Sequence, residues 1–286
     1  MSDQPEFSLV VPTLGRTDEV AALLASIARS ERRSYEVIVV DQNRDGRLDA
    51  LCREWAQRLP LQQLPMDGRG AALARNLGAR QACGRFLNFP DDDCELLPHT
   101  LDQAANLLRE TGAPVVVGAS VDRAGTFSNT RFATGARWIT PRTLWGRCIE
   151  FTIFFERKTF ASSGGFDPRF GVGARYGADE GPELLLRLMR SLPPRSVYYS
   201  DCVRFYHPDK ARSFDPADIA RSHSYARGSG ALLAKVPEPH MLLHAADYVG
   251  RGLIGAVLYR EPRRAFYRAR VRGFVDGCRD YWRAER

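Results

Sequence analysis

The chain has 286 residues, 44% of them hydrophobic and 26% charged, enough apolar side chain for one substantial core or for one core and a small appendage. Its longest apolar runs, such as LIGAVLY at 253–259, are far shorter than the roughly 20 residues that cross a bilayer, so no membrane span is expected. The net charge of +7 belongs to the tail: residues 251–286 hold ten arginines and four acids, a balance of +6, leaving +1 for the first 250 residues.

In chain order, MSDQPEFSLVVP starts acidic and runs straight into a short apolar segment, without the basic start and long apolar stretch of a secretion signal, so no export is expected. FSLVVP (7–12) and EVIVVD (36–41) are β-branched runs of the kind buried on both faces of a sheet. Between them a helix is predicted, with Thr17 as N-cap, Asp18 and Glu19 at the positive end of its dipole, and Val20, Leu23, Leu24 and Ile27 at helical spacing. This βαβ unit is followed by a helix near 47–58, a strand near 61–64, a helix near 70–82 and the strand RFLNF at 85–89. Such alternation predicts an α/β fold with a mainly parallel sheet flanked by helices. Ligands of open sheets sit outside the carboxyl ends of the strands, where Asp41 and Asp91 to Asp93 fall.

The second half is less regular. Strands are predicted in PVVVGASV (114–121) and CIEFTIFF (148–155), followed by the glycine-rich loop SSGGFDPRFGVGARYGADEG (162–181). A loop of that length inside a domain is functional or disordered. A helix follows, with Leu184, Leu185, Leu188 and Met189 on one side. No linker divides the chain before about residue 235, so the expected division is a main domain over 1–235, its halves meeting near 120, and a helical basic extension over 236–286. The six cysteines form no CxxC pair, which suggests neither a zinc site nor a disulfide framework; they are read as packing residues and fit a reducing cytosol.

Pro90 ends the strand before it, because it cannot donate to the ladder and holds its predecessor extended; Asp91, Asp92 and Asp93 therefore open a loop. Three adjacent carboxylates repel, and keeping them ionised together calls for a nearby cation, with hard oxygens suited to Mg²⁺ or Mn²⁺. The competing reading is a solvated turn that feeds negative charge to a helix starting near Pro98. In the tail, Tyr267, Val271, Phe274, Val275, Cys278 and Trp282 form one helical stripe with the arginines mostly elsewhere. Such a helix lies on an anionic membrane surface or packs on its own domain or another subunit, and both readings stand. Nucleic acid is not expected, since no binding motif accompanies the charge. HMLLH (240–244) lacks the glutamate of a zinc HExxH motif and reads as a packing or surface pair.

Taken together and in order, FSLVVPTLGR, YEVIVVDQN, GRGAALARNLGAR, RFLNFPDDDCELLP, GGFDPRFGVGARYGADEGPELLLRLMR and VRFYHPD resemble the family-2 glycosyltransferases with the GT-A fold, over residues 7 to 210. The resemblance implies an inverting transferase that uses Mn²⁺ or Mg²⁺ to move a sugar from a nucleotide-sugar donor to a hydroxyl of a glycan or lipid-linked acceptor. It places Pro12, Thr13 and Arg16 in the nucleotide pocket, Asp41 and Gln42 at the nucleoside, and Arg75 and Asn76 on the helix that approaches the donor. Asp91 and Asp93 match the two acids of the DxD metal site, with Asp93 as direct ligand and Asp92 at the ribose or sugar. His207 matches a histidine that reaches the metal or diphosphate, and Lys210 and Arg212 would neutralise phosphate.

The catalytic base is expected from an acidic pair in a form such as GEDxDLxLR. Aligning on LLLR (184–187) puts Glu180 on the first acid, Gly181 on the base position and Glu183 on the third. Glu180 is the expected base, with Asp179 as the nearest substitute. The rival from another class is a non-catalytic nucleotide-binding or membrane-assembly protein that lost its base, as Gly181 permits; a sugar nucleotidyltransferase is disfavoured because PTLGR lacks the GxGxR pattern. The expected place is the cytoplasm, peripheral on the inner face of the plasma membrane.

Overall fold

Seven consecutive buried residues make β1 (Phe7–Thr13), and β2 (Tyr35–Asp41) is buried nearly as completely. These are the strands expected to be covered on both faces. The computed structural model describes all residues except 1–3, 129–131, 209–211 and 286. Between β1 and β2, α1 (Asp18–Ala28) buries Val20, Leu23, Leu24 and Ile27; Thr17 precedes it, but its side chain makes no capping hydrogen bond. The chain continues through α2 (Asp49–Trp55), β3 (Leu61–Pro65), α3 (Ala71–Gln81), β4 (Phe86–Asn88), β5 (Glu95–Leu96), α4 (Thr100–Thr111), β6 (Val115–Val121) and β7 (Ala136–Trp138). Then come β8 (Ile153–Glu156), α5 (Arg157–Ser162), α6 (Glu180–Ser191), β9 (Val197–Tyr206), α7 (Pro216–Lys235), α8 (Pro239–Leu258) and α9 (Arg263–Ala284).

The described strands form one sheet in the order β3-β2-β1-β4-β8-β6-β9-β5, with β7 paired to β9. β1 to β4 are parallel, as expected, but β8 runs antiparallel to both β4 and β6, and β5 and β7 run antiparallel to β9, so the whole sheet is mixed. The strand predicted over 148–155 begins only at Ile153, because Glu150–Thr152 coil into a 3-10 turn. There the Asn88 amide donates to the carbonyls of Phe151 and Ile153, both at 2.9 Å, taking the place of a ladder partner.

Phe7, Leu9 and Val11 of β1 join the large core with the apolar side of α1 and with Leu101, Ala104 and Leu108 of α4. Val10, one residue out of phase, meets α3 on the other face, as the two-residue period of a strand requires. A Cβ at Gly78 would lie 2.4 Å from Val10 Cγ1 and 2.9 Å from Val40 Cγ2, so α3 packs this close to the sheet only because residue 78 has no side chain. That approach carries Arg75, one turn earlier, to the strand ends.

Contacts gather the chain into two compact units: 1–166 with 184–209, which holds the whole sheet, and 167–183 with 210–286. This grouping differs from the division expected at residue 235, since α7 is gathered with α8 and α9. The physical reason is a backbone-to-backbone fit. A Cβ at Gly230 of α7 would stand 1.9 Å from Phe274 O, and one at Gly277 of α9 would stand 2.0 Å from Arg227 O.

The same fit displaces the apolar stripe expected on α9. Its buried positions are Phe266, Gly273, Phe274, Gly277 and Tyr281, whereas Val275 and Trp282 are exposed. Gly277→Val is expected to cost about 3 kcal/mol by forcing α7 and α9 apart, read as a lowered midpoint of thermal or urea unfolding. An unchanged midpoint would contradict this packing. Of the cysteines, Cys52 and Cys94 are buried, while Cys83 and Cys202 are exposed and so are not packing residues. In the HMLLH pair, His240 lies 3.3 Å from Glu238, and burial pushes the pKa of His244 down to about 4, in keeping with a packing role.

Candidate metal and nucleotide site

The acidic loop leaves β4 at the carboxyl edge of the parallel strands and returns as β5, which pairs antiparallel with β9 in the register Glu95 to Tyr206. That register brings Asp93 to His207, the residue after β9. Ligand atoms of Asp91, Asp93 and His207 all lie within 4.8 Å of one another. His207 Nε2 is 3.2 Å from Asp93 Oδ1, Nδ1 is 2.9 Å from the carbonyl of Pro208, and the ring stacks on Phe151 with centroids 5.1 Å apart. A hydrogen bond from Nδ1 to that carbonyl directs Nε2 to the carboxylates. Burial opposes charge on His207, but the hydrogen bond and charge of Asp93, with the charge of Asp91, prevail and raise its pKa.

The aspartates are not a solvated turn. Asp92 is only 8% exposed, and α4 begins later, at Thr100. Thr13 Oγ1 donates to Asp92 Oδ2 at 2.8 Å, and Arg16 bridges Asp92 and Asp93, the latter at 3.0 Å. Arg75, 3% exposed, donates to Asp91 Oδ1 at 2.8 Å and holds its guanidinium 5.6 Å from the centre of the Phe166 ring. Burial raises the pKa of Asp92 against the pull of Arg16 and Thr13. The cation that three carboxylates require is thus partly supplied by the chain itself, through Arg16 and Arg75.

The other predicted residues make contacts within the chain. Pro12 lies buried within β1, in register with Val40. Asp41 accepts from the backbone and side chain of Asn43, both at 2.8 Å, and from Gln63 at 2.9 Å, as a strand-end turn former does. Gln42 Oε1 accepts from the N–H of Gly70 at 2.9 Å and so ties the end of β2 to the start of α3. The Asn76 amide donates to Phe166 O at 2.8 Å and accepts from Phe166 N at 2.9 Å. Lys210 lies outside the described residues. Arg212 has its guanidinium 5.3 Å from the centre of the Phe266 ring.

In the second unit, Asp179 and Glu180 open α6. Glu180 is 4% exposed, and its carboxylate lies against Gly171, where a Cβ would be 2.8 Å away. Glu183 is held by Lys235 at 2.8 Å, and Lys235 also reaches Asp167 at 2.6 Å. Asp179 differs from both. Its backbone is left-handed at φ 70, Ser229 of α7 donates to its Oδ2 at 2.6 Å, and burial, aided by the charge of Glu180, raises its pKa to about 6. Sequence reasoning missed Ser229, Phe151 and Phe166, since nothing marks the partner of a functional side chain when it lies tens of positions away.

A family model described as Glycosyl transferase family 2 matches residues 8–164. An uncharacterized glycosyltransferase of Haemophilus influenzae is 32% identical over 104 residues, which are 36% of this chain and 34% of that protein. The poly(ribitol-phosphate) beta-N-acetylglucosaminyltransferase TarS of Staphylococcus aureus is 29% identical over 116 residues, 39% of this chain and 20% of that one. This chain therefore spans about a third of the first curated relative and a fifth of the second. The crystal structure of S. aureus TarS 1-349 superposes with a TM-score of 0.63 at 16% identity, covering 98% of this chain and 92% of that one. A mannosyltransferase from Pyrobaculum calidifontis, in complex with GDP-Man and Mn2+, gives 0.68 at 18% identity, covering 99% and 88%. These structural likenesses establish the shared GT-A fold.

Proposed function

This chain belongs to glycosyltransferase family 2, and from that premise we propose that it transfers a sugar from a nucleoside diphosphate to an acceptor hydroxyl, with inversion and with the help of a divalent ion. The observation that carries this is the convergence of Asp91, Asp93 and His207 at the carboxyl edge of the sheet. Two carboxylates and an imidazole fit Mn²⁺ well, and Mg²⁺, whose sites are built of oxygen, less well. Asp93 and His207 would hold the ion, with Asp91 beside them; when bound, it would neutralise charge on the departing diphosphate. Asp92, oriented by Thr13 and Arg16, is placed to accept a hydrogen bond from a ribose or sugar hydroxyl.

Inversion needs a carboxylate that takes the acceptor proton as the acceptor oxygen bonds to the anomeric carbon and the bond to phosphate breaks. The sequence put Glu180 first for this task. We assign it to Asp179 instead: Ser229 orients its carboxylate through a 2.6 Å hydrogen bond, its backbone is held left-handed at φ 70 just before α6, and burial raises its pKa, which makes it a stronger base than an ordinary aspartate. The acceptor is proposed as a hydroxyl of a glycan or lipid-linked glycan; for TarS, the printed name gives a poly(ribitol-phosphate), which also presents hydroxyls.

Calorimetry with UDP- and GDP-sugars, with and without Mn²⁺, tests the reading. Binding that depends on the ion, followed by slow donor hydrolysis, is expected; tight binding without turnover on any acceptor would favour a non-catalytic protein. Arg16→Gln sharpens the test. Its guanidinium sits where a second cation would be repelled, so Mn²⁺ alone is expected to bind about tenfold more tightly to the variant, and the nucleoside diphosphate more weakly.

A further inference from the structure

Half of the large hydrophobic residues exposed among the described residues lie on one helix, α8: Leu242, Leu243, Leu253, Ile254, Val257 and Leu258 are 53% to 74% exposed. At about 100° per residue they fall within one side of the helix, with Ala246 and Gly250 between them and the exposed Asp247–Arg251 ion pair along one edge. The opposite side packs on α9, where a Cβ at Gly252 would stand 2.7 Å from Val271 Cγ2 and one at Gly255 would stand 2.5 Å from Tyr267 Cγ. An apolar face about 24 Å long, left to water on a helix otherwise held this closely, marks a contact surface.

The charge around it selects the partner. Arg251 borders the face on α8, paired with Asp247, and α9 turns Arg268 and Arg272 to solvent, 64% and 82% exposed, beside Val275 and Trp282. Residues 251–286 carry ten arginines against four acids. A second copy of this chain would set those arginines against their own kind, whereas anionic headgroups with acyl chains beneath them match both the charge and the apolar stripe. By length and composition α8 could cross a bilayer, with a mean hydropathy of 1.2, contrary to the expectation from run length alone. Crossing would drag the arginines of α9 into hydrocarbon, since half of α8 is bound to that helix.

We propose that the exposed apolar face of α8, rimmed by arginines of α8 and α9, seats this protein flat on an anionic lipid surface. The surface uses no residue of the metal and nucleotide site, so its failure and the failure of sugar transfer are separate results.

The experiment is flotation of the full chain with vesicles of phosphatidylcholine alone or mixed equally with phosphatidylglycerol, in 0.1 M and 0.5 M salt. Binding to the anionic vesicles is expected to exceed binding to the neutral ones at least tenfold, and to fall at high salt as the arginines are screened. Leu253→Glu with Val257→Glu should lower it a further tenfold while leaving the circular dichroism and unfolding midpoint unchanged, because both side chains point to water. Ile254→Glu serves as an independent variant on the same face. Equal binding to both vesicle types, no salt effect, or variants that float as the parent does would overturn the proposal. So would a concentration-dependent dimer that the same variants dissociate, or retention in membranes through alkaline carbonate washing, the mark of a spanning helix.

Discussion

Asp93→Ala is expected to lower ion-dependent sugar transfer roughly a thousandfold, about 4 kcal/mol in the barrier, while the protein stays folded. Asp93 receives both Arg16 at 3.0 Å and His207 at 3.2 Å, and it stands among carboxylates that repel one another. Removing it relieves that repulsion and leaves Arg16 with Asp92, so the fold loses little. Binding of Mn²⁺ measured by calorimetry should disappear along with activity. Asp91→Ala should do less, because Asp91 is tied to Arg75 at 2.8 Å and shares its charge with that guanidinium. A variant at Asp93 that retained ion-dependent turnover would remove the basis of the metal assignment.

The base assignment predicts a comparable loss in the second unit. Asp179→Asn should reduce transfer by about 10² to 10⁴, the range of a positioned general base, with donor binding preserved. The sign of the pH effect follows from the role. A base acts only when unprotonated, so kcat/KM should rise tenfold per pH unit below about 6 and level off above it. Ser229 stabilises the charged carboxylate through its 2.6 Å hydrogen bond. Ser229→Ala should therefore move the acid limb to higher pH, which a merely structural serine would not do. If Glu180→Gln abolishes transfer while Asp179→Asn leaves it intact, the base is Glu180, as the sequence first suggested.

The arginines inside the acidic loop change what its charge means. Three consecutive aspartates read in isolation imply an external cation, and the order of motifs around them implies a metal. In the folded protein, Arg16 from the loop after β1 and Arg75 from α3 already neutralise much of that charge. A bound ion would then compete with, or displace, a guanidinium that the chain itself supplies. This accounts for a site that keeps three carboxylates close together without requiring any of them to face water.

Much of the fold and part of the site were legible in the residues alone. Buried parallel strands announce themselves through unbroken β-branched runs, Pro90 marks where the fourth strand stops, and the acids behind it have to fall at the carboxyl edge. His207 was legible only through its place in the order of segments, because a lone histidine beside a proline carries no chemical signal of its own. Residue order alone therefore settles what is local: which segments pair or coil, where the turns expose carboxylates, and which residue types are at hand for binding. Long-range packing makes Arg16 and Arg75 counter-ions, has Asn76 clamp Phe166 and Ser229 support Asp179, and turns the glycines of α9 rather than its expected stripe toward α7. Hydrophobic periodicity records the average direction of burial. It does not record backbones that touch through glycine, or partners brought together from 16 to 90 positions apart in the chain, and those contacts set the electrostatics and the exposed faces of this protein.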